Sequence, residues 1–175
     1  MNQRIIVCGG NGAGKSTLGK ALAEEAGVPF LDIEDYWFPH KNPDYPYAAP
    51  APETEVKMQL LSDMHTHPRF VFAAVKGTDP EITALLTCAV FLEVPKELRM
   101  KRIRERSFRR FGDRILPGGD LYREEEAFFR MAERKSEDHV PSWLRTAGLP
   151  VIHADGTKPI GENVRYLMEK LNLLP

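Results

Sequence analysis

The sequence predicts an α/β fold in three layers, a parallel sheet wrapped on both faces by helices and joined by right-handed crossovers. Three observations predict it. Short β-rich runs alternate with helix-patterned stretches along most of the 175 residues. A glycine-rich loop joins the first strand directly to the first helix. The last helix carries one apolar stripe, Ile160, Val164, Leu167, Met168 and Leu171, spaced i, i+4, i+7, i+8 and i+11, which marks a face turned to a core.

The first strand is expected over 4–8, an apolar run (Ile5, Ile6, Val7, Cys8) of the kind buried when both faces of a sheet are covered. The loop GGNGAGKST, residues 9–17, leads into a helix over 15–26, and a second strand over 29–32 ends in the acidic run FLDIEDYW. Residues 36–52 then hold five prolines with Trp37, Phe38, Tyr45 and Tyr47. That is too much proline for a helix and too many aromatics for a mere flexible linker, so an ordered, aromatic-faced loop is expected. A helix over 53–66 follows, and 36–66 together is expected to be a substrate-binding insert.

Strands over 69–75, 89–93 and 150–153 and helices over 80–87, 95–111, 121–136 and 160–173 complete the alternation. The segment FGDRILPGGD, 111–120, has three glycines and a proline and reads as a hinge or lid tip, with Asp120 placed to cap the next helix. Residues 102–120 are expected to form a lid.

At 42% hydrophobic and 28% charged, the chain has the composition of a single domain, 1–175, with one substantial core. A net charge of −1 supplies no overall drive toward nucleic acid or anionic membrane, and neither is an expected partner. Cys8 and Cys88 have no metal-ligand spacing and read as reduced core residues, as in a reducing cytoplasm. The five histidines, His40, His65, His67, His139 and His153, also lack such spacing. The chain enters its first strand at once, without a signal peptide, and no apolar run approaches ~18 residues. A soluble cytoplasmic monomer or homodimer is expected.

The chemistry concentrates in the loop Gly9, Gly10, Asn11, Gly12, Ala13, Gly14, Lys15, Ser16, Thr17. The spacing Gly9-x4-Gly14-Lys15-Ser16 is that of a P-loop, whose glycines let backbone N–H groups curl around the β- and γ-phosphates of a nucleotide. The following helix aims its N-terminal dipole at the same anion. Lys15 would bridge the phosphates and Ser16 would hold Mg²⁺.

Asp32, Glu34 and Asp35 sit at the carboxyl end of the second strand, the edge where ligands bind in open α/β sheets. Asp32 reads as the metal-side group, Glu34 and Asp35 as the substrate-side pair that would orient or deprotonate an attacking hydroxyl. The same cluster would also suit a plain polar strand end. Arg99, Arg102, Arg106, Arg109 and Arg110 fall within an arc of roughly 100° on an unbroken helix. Such a guanidinium stripe suits a lid closing over a triphosphate; a solvated helix face or a nucleic-acid patch are the alternatives. Lys76, at the end of the third strand, is a candidate substrate contact or a simple strand end. Gly156 and Thr157, in the turn after the last strand, could reach a purine ring or form a plain turn.

On these residues the chain resembles the P-loop small-molecule kinases, above all the adenylate-kinase-like and shikimate-kinase-like families, and the bacterial kinase-like ATPases known by their P-loop. The resemblance rests on Gly9 to Thr17, on Arg102-x3-Arg106, and on Asp32 and Glu34, which look like the Asp-x-Asp pair of shikimate-type kinases with Glu in the second place. It implies a five-stranded parallel sheet of order 2-3-1-4-5, a mobile lid after strand four, Arg102 against adenine and Arg106 on phosphates. The Asp-Gly-Phe-Pro-Arg segment of adenylate kinases and the Gly-Gly-Gly turn of shikimate kinases are missing.

The expected function is ATP- and Mg²⁺-dependent transfer of a γ-phosphoryl group to a hydroxyl of a small metabolite. Lys15, Glu34, Asp35, Arg106 and Arg110 would act at the reacting groups, and Asp35, Trp37, Tyr45, Tyr47 and Lys76 would line the acceptor pocket. Phosphorylation of a nucleoside or nucleotide is one alternative; a nucleotide-dependent switch or accessory ATPase is another.

Overall fold

The computed structural model describes residues 3–77 and 79–173, and in it five strands form one parallel sheet in the order β2-β3-β1-β4-β5. The strands are β1 (Arg4–Cys8), β2 (Phe30–Asp32), β3 (Phe70–Ala73), β4 (Cys88–Glu93) and β5 (Val151–Asp155). The helices are α1 (Lys15–Ala26), α2 (Ile33–Trp37), α3 (Glu53–Thr66), α4 (Pro80–Leu85), α5 (Lys96–Phe111), α6 (Tyr122–Arg134), α7 (His139–Ala147) and α8 (Ile160–Lys170). The predicted fold class, parallel pairing and strand order are those observed.

Alternation along β1 makes the three layers. Ile5 and Val7 face one side and pack with Leu18 and Leu22 of α1 and Leu167 and Met168 of α8. Ile6 and Cys8 face the other and pack with Leu60 and Met64 of α3, Ile82 of α4 and Val140 of α7. The expected stripe on α8 is accordingly core at Val164, Leu167, Met168 and Leu171, while Ile160, at the helix start, stays exposed. Burial pushes the Cys8 thiol up to about 12, as befits an inert core cysteine.

A third, smaller cluster lies off the sheet. Ile103 of α5, Ile115, Leu121, and Phe129 and Ala132 of α6 are buried together, so α5, a 3₁₀ turn (Gly112–Ile115) and α6 form a helical hairpin with its own core. The segment 102–120, expected to form a lid, lies within this hairpin.

Two helices depart from the sequence expectation. α2 stands where a strand end and loop were expected; it is one turn long, too short for periodicity to reveal, and starts because the Asp32 carboxylate accepts from the Glu34 amide at 3.0 Å. α7 went unrecognised because Pro141 lies inside it, yet in a first turn proline costs no hydrogen bond. Asp120 does not cap α6: its carboxylate takes the Arg114 guanidinium at 2.7 Å instead. Strand and helix ends shift by up to three residues, with β5 running on to Asp155 and α8 ending at Lys170.

Candidate functional site

β1 delivers the loop to the carboxyl edge of the sheet, where the Gly9 N–H donates to the Val75 carbonyl at 3.1 Å and ties the loop to the strand beside it. Gly12 has φ +81°, and a Cβ there would run into the Arg99 carbonyl oxygen. Gly14, φ +96°, is the left-handed residue from which α1 departs, so both glycines answer to geometry. Lys15 opens α1 and lays its Nζ back across the loop, donating to the Gly10 carbonyl at 3.1 Å.

Burial drives the Lys15 ammonium down to about 8, with the negative charges of Glu34 first and Asp32 second holding it up. Those two acids and Lys15 therefore form one electrostatic unit. Asp35 is not part of it: its exposed carboxylate takes Lys41 at 2.7 Å, and it does not line the cavity. The helical turn of α2 splits the expected Glu34–Asp35 pair and leaves Asp32 with Glu34.

The loop opens into a cavity of about 570 Å³ lined by Lys15, Ser16, Thr17, Asp32, Glu34 and Arg106 on its polar side and by Trp37, Phe38, Tyr45 and Tyr47 on its aromatic side. The residues 38–52 form the expected ordered aromatic loop. Phe38 and Tyr47 meet edge-on at 5.2 Å, Tyr45 and Tyr47 at 5.6 Å, and Tyr45 leans on Phe111 at 5.5 Å. The loop is fastened to the hairpin by polar contacts as well. Arg114 donates to the Asp44 carbonyl at 3.0 Å, Arg110 to the Tyr47 hydroxyl at 3.2 Å, and the Tyr45 hydroxyl to Glu125 Oε1 at 2.9 Å.

The arginine stripe divides by task. Arg99 donates to the Val94 and Asn11 carbonyls at 3.1 and 3.3 Å, and Arg102 spans the carbonyls of Ala13 at 3.4 Å and Gly156 at 3.0 Å. These two hold the phosphate loop to α5 and to the turn after β5. Arg106 stays in the cavity, where its charge acts on Lys15 and Tyr47; Arg110 lies over the Tyr47 ring; Arg109 is exposed and outside the lining.

Two expected contacts lie elsewhere. Thr157 lines a separate groove of about 560 Å³ on the Gly10–Asn11 side of the loop. Lys76 is not among the lining residues; it neighbours Lys135 and His139, and together with burial its charge lowers the proton affinity of both. Lys135 in turn donates to Asn11 Oδ1 at 3.3 Å.

Sequence reasoning missed Ser107, Glu125, Phe128 and Met131, all of which line the cavity. Glu125 sits in the run Glu124–Glu126, which reads as a solvated helix start, and only its spacing of four from Leu121 and Phe129 hints at an inward face.

Comparisons with known proteins bear on the fold and on the region of the phosphate loop. Residues 11–41 match the shikimate kinase family. YqaC of Bacillus subtilis (strain 168), an uncharacterized protein, is 25% identical over 181 residues, spanning 98% of this chain and 99% of its own. A gluconokinase from Sinorhizobium meliloti 1021 superposes with TM-score 0.54 at 18% identity, covering 98% of this chain and 96% of its own. The deoxyadenosine kinase of M. mycoides with bound dATP superposes with TM-score 0.57 at 16% identity, covering 97% and 100%. Likeness at this level establishes architecture: the chain has the fold of the P-loop small-molecule kinases, and its phosphate loop and second strand match the shikimate kinase family.

Proposed function

We propose that the protein is an ATP-dependent phosphotransferase that moves the γ-phosphoryl group onto a hydroxyl of a small metabolite. One observation carries this reading: the phosphate loop opens into a roofed cavity of about 570 Å³ that holds two carboxylates and an aromatic wall. A nucleotide-dependent switch has no use for such an acceptor chamber. The folds of a gluconokinase and a deoxyadenosine kinase support phosphotransfer while spanning different acceptors.

In this reading the amides of Gly12 to Thr17 and the Lys15 ammonium hold the β- and γ-phosphates. Glu34, which lines the cavity and acts on Lys15, positions the acceptor hydroxyl and takes its proton. Arg106 balances charge developing on the transferring group. Arg102, bound to Ala13 and Gly156, ties the loop to the turn at Gly156 and Thr157, and the groove lined by Thr157, Gly10 and Asn11 would take the nucleotide's far end. Trp37, Tyr45 and Tyr47 wall the acceptor. Asp35 and Lys76 have no role in it.

Ser16 and Asp32 would hold Mg²⁺. Among the described residues no cluster of three or more His, Cys, Asp or Glu could bind a metal alone. This donor set suits Mg²⁺, which commonly takes one or two protein ligands and draws the rest from phosphates and water. When bound, it would neutralise phosphate charge during transfer.

The test is ADP release with Mg-ATP across a panel of sugars, polyols, hydroxy acids, amino alcohols and nucleosides. At least one is expected to stimulate release by about 10²-fold or more over hydrolysis to water; steady hydrolysis indifferent to every compound would favour the switch instead. Nucleosides are the second reading, favoured by the aromatic wall, on which a base could stack.

The low proton affinity of Lys15 predicts a second measurable event. With a value of about 8, Lys15 is mostly neutral at pH 8.5, and phosphate oxygens favour its charged form. ATP binding at pH 8.5 should therefore take up about 0.7 proton per site, falling to about 0.1 at pH 7. Calorimetry in buffers of different ionisation enthalpy reads this directly. Uptake that is equal at both pH values would detach Lys15 from the phosphates.

A further inference from the structure

Lys76 has no part in phosphoryl transfer as described, yet it belongs to a cluster of basic groups beside the phosphate loop. The chain after β3 presses Gly77 against α7, where an added Cβ would come within 2.9 Å of the Trp143 indole. Lys135, just past α6, and His139, the first residue of α7, line the groove of about 560 Å³. Lys135 Nζ donates to Asn11 Oδ1 at 3.3 Å. Burial first, and then the charge of Lys76, lowers the proton affinity of both Lys135 and His139, and Lys135 adds to the effect on His139. All three residues are partly buried.

The acids nearby are committed elsewhere. Asp138 takes Arg145 at 2.9 Å, Glu93 takes His153 at 2.9 Å, and Asp155 accepts from the Thr157 amide and hydroxyl. Glu137 is exposed, and among the described residues no carboxylate lies within ion-pair distance of Lys76, Lys135 or His139. The start of α7 adds to the same field: its first turn carries no acid, no side chain caps it, and His139, Val140 and Pro141 all line the groove. Partly buried like charges held together without a counter-charge are costly, and an anion relieves that cost.

We infer that Lys76, Lys135 and His139 form a second anion site, apart from Lys15, that takes a phosphate group, either free or as the monoester end of a small molecule. Two ammonium groups supply point charges and the imidazole supplies a directed donor. Thr157, after β5, is left for the far end of the nucleotide. Asn11 and Val75 line both the groove and the acceptor cavity, so the two spaces meet beside this cluster.

NMR of the histidine rings reads the site directly, with the His139 signals assigned by their loss in H139Q. The full chain, saturated with Mg²⁺ and a non-hydrolysable ATP analogue so that Lys15 is engaged, is titrated in pH with and without inorganic phosphate at equal ionic strength. Phosphate is expected to raise the His139 titration midpoint by about half a pH unit or more, while His40, His65, His67 and His153 stay in place. The double variant K76Q/K135Q keeps the imidazole. Its His139 should titrate higher than the parent's without phosphate, because two repelling charges are gone, and should lose the phosphate response. Either single substitution carries the test should the pair fail to fold.

Glucose 6-phosphate and glycerol 3-phosphate, titrated the same way, separate the sources. Half-saturation by an ester at least about tenfold below that of inorganic phosphate assigns the site to an ester ligand, and otherwise the free anion is the occupant. No His139 response to any of the three probes, a response that K76Q/K135Q retains, or a response produced in full by the nucleotide analogue alone overturns the inference. ADP release plays no part in this readout, so a failure of phosphotransfer leaves the anion site standing.

Discussion

Replacing Lys15 by alanine is expected to abolish ATP turnover, with kcat/KM falling by at least about 10³-fold, and to remove most of the ATP affinity. The loss is expected to be local. Lys15 spends its one hydrogen bond on the Gly10 carbonyl, while α1 is anchored by Leu18, Leu22 and Ala23, none of which the substitution touches. Circular dichroism and melting temperature should thus stay close to those of the parent. Removing a desolvated ammonium even relieves a cost, because burial disfavours its charged form. What disappears is the ammonium that lies back across the loop. ATP titrated calorimetrically, together with ADP release, measures both halves; an unchanged dissociation constant would take the loop out of the phosphotransfer proposal altogether.

The second large effect is expected at Glu34. Glu34→Gln should lower acceptor-dependent turnover by about 10²- to 10⁴-fold while ATP affinity changes by only a few-fold. Asp35→Asn should move turnover by less than about twofold, since that carboxylate faces Lys41 outside the cavity. Loss of turnover with ATP affinity retained is what a merely electrostatic role through Lys15 would not produce. Glu34→Gln also removes the largest charge holding up the Lys15 proton affinity, so the proton uptake on ATP binding should begin at lower pH than in the parent. Equal losses at Glu34 and Asp35, or a matching fall in ATP affinity, would show that neither acid is an acceptor base.

Much of this site was legible before any coordinates. The phosphate loop announces itself because its function needs glycines at fixed offsets and a lysine at the head of a helix, and these requirements are local in sequence. The same holds for the aromatic loop, where proline density rules out a helix and aromatic content argues for packing. Orientation was less legible. Asp32, Glu34 and Asp35 look equivalent in FLDIEDYW, and one turn of α2, started by Asp32 itself, decides which two face Lys15. The five arginines share an arc, but the carbonyls of Asn11, Ala13 and Gly156 claim two of them, Tyr47 a third and solvent the exposed Arg109, leaving Arg106 for the cavity.

The alternation of strand and helix, the parallel sheet, the phosphate loop and the aromatic character of the segment facing it are all legible in residue order, because periodicity, turn chemistry and motif spacing act within one or two dozen residues. Packing decided that Tyr45 reaches Glu125 across 80 positions, that Lys76 lies close enough to Lys135 and His139 for its charge to act on both, and that one glutamate of four on α6 is buried with one oxygen unpartnered. Those outcomes depend on which helix faces meet once the sheet is assembled. Contacts between distant segments are chosen by packing, and packing is a property of the whole chain.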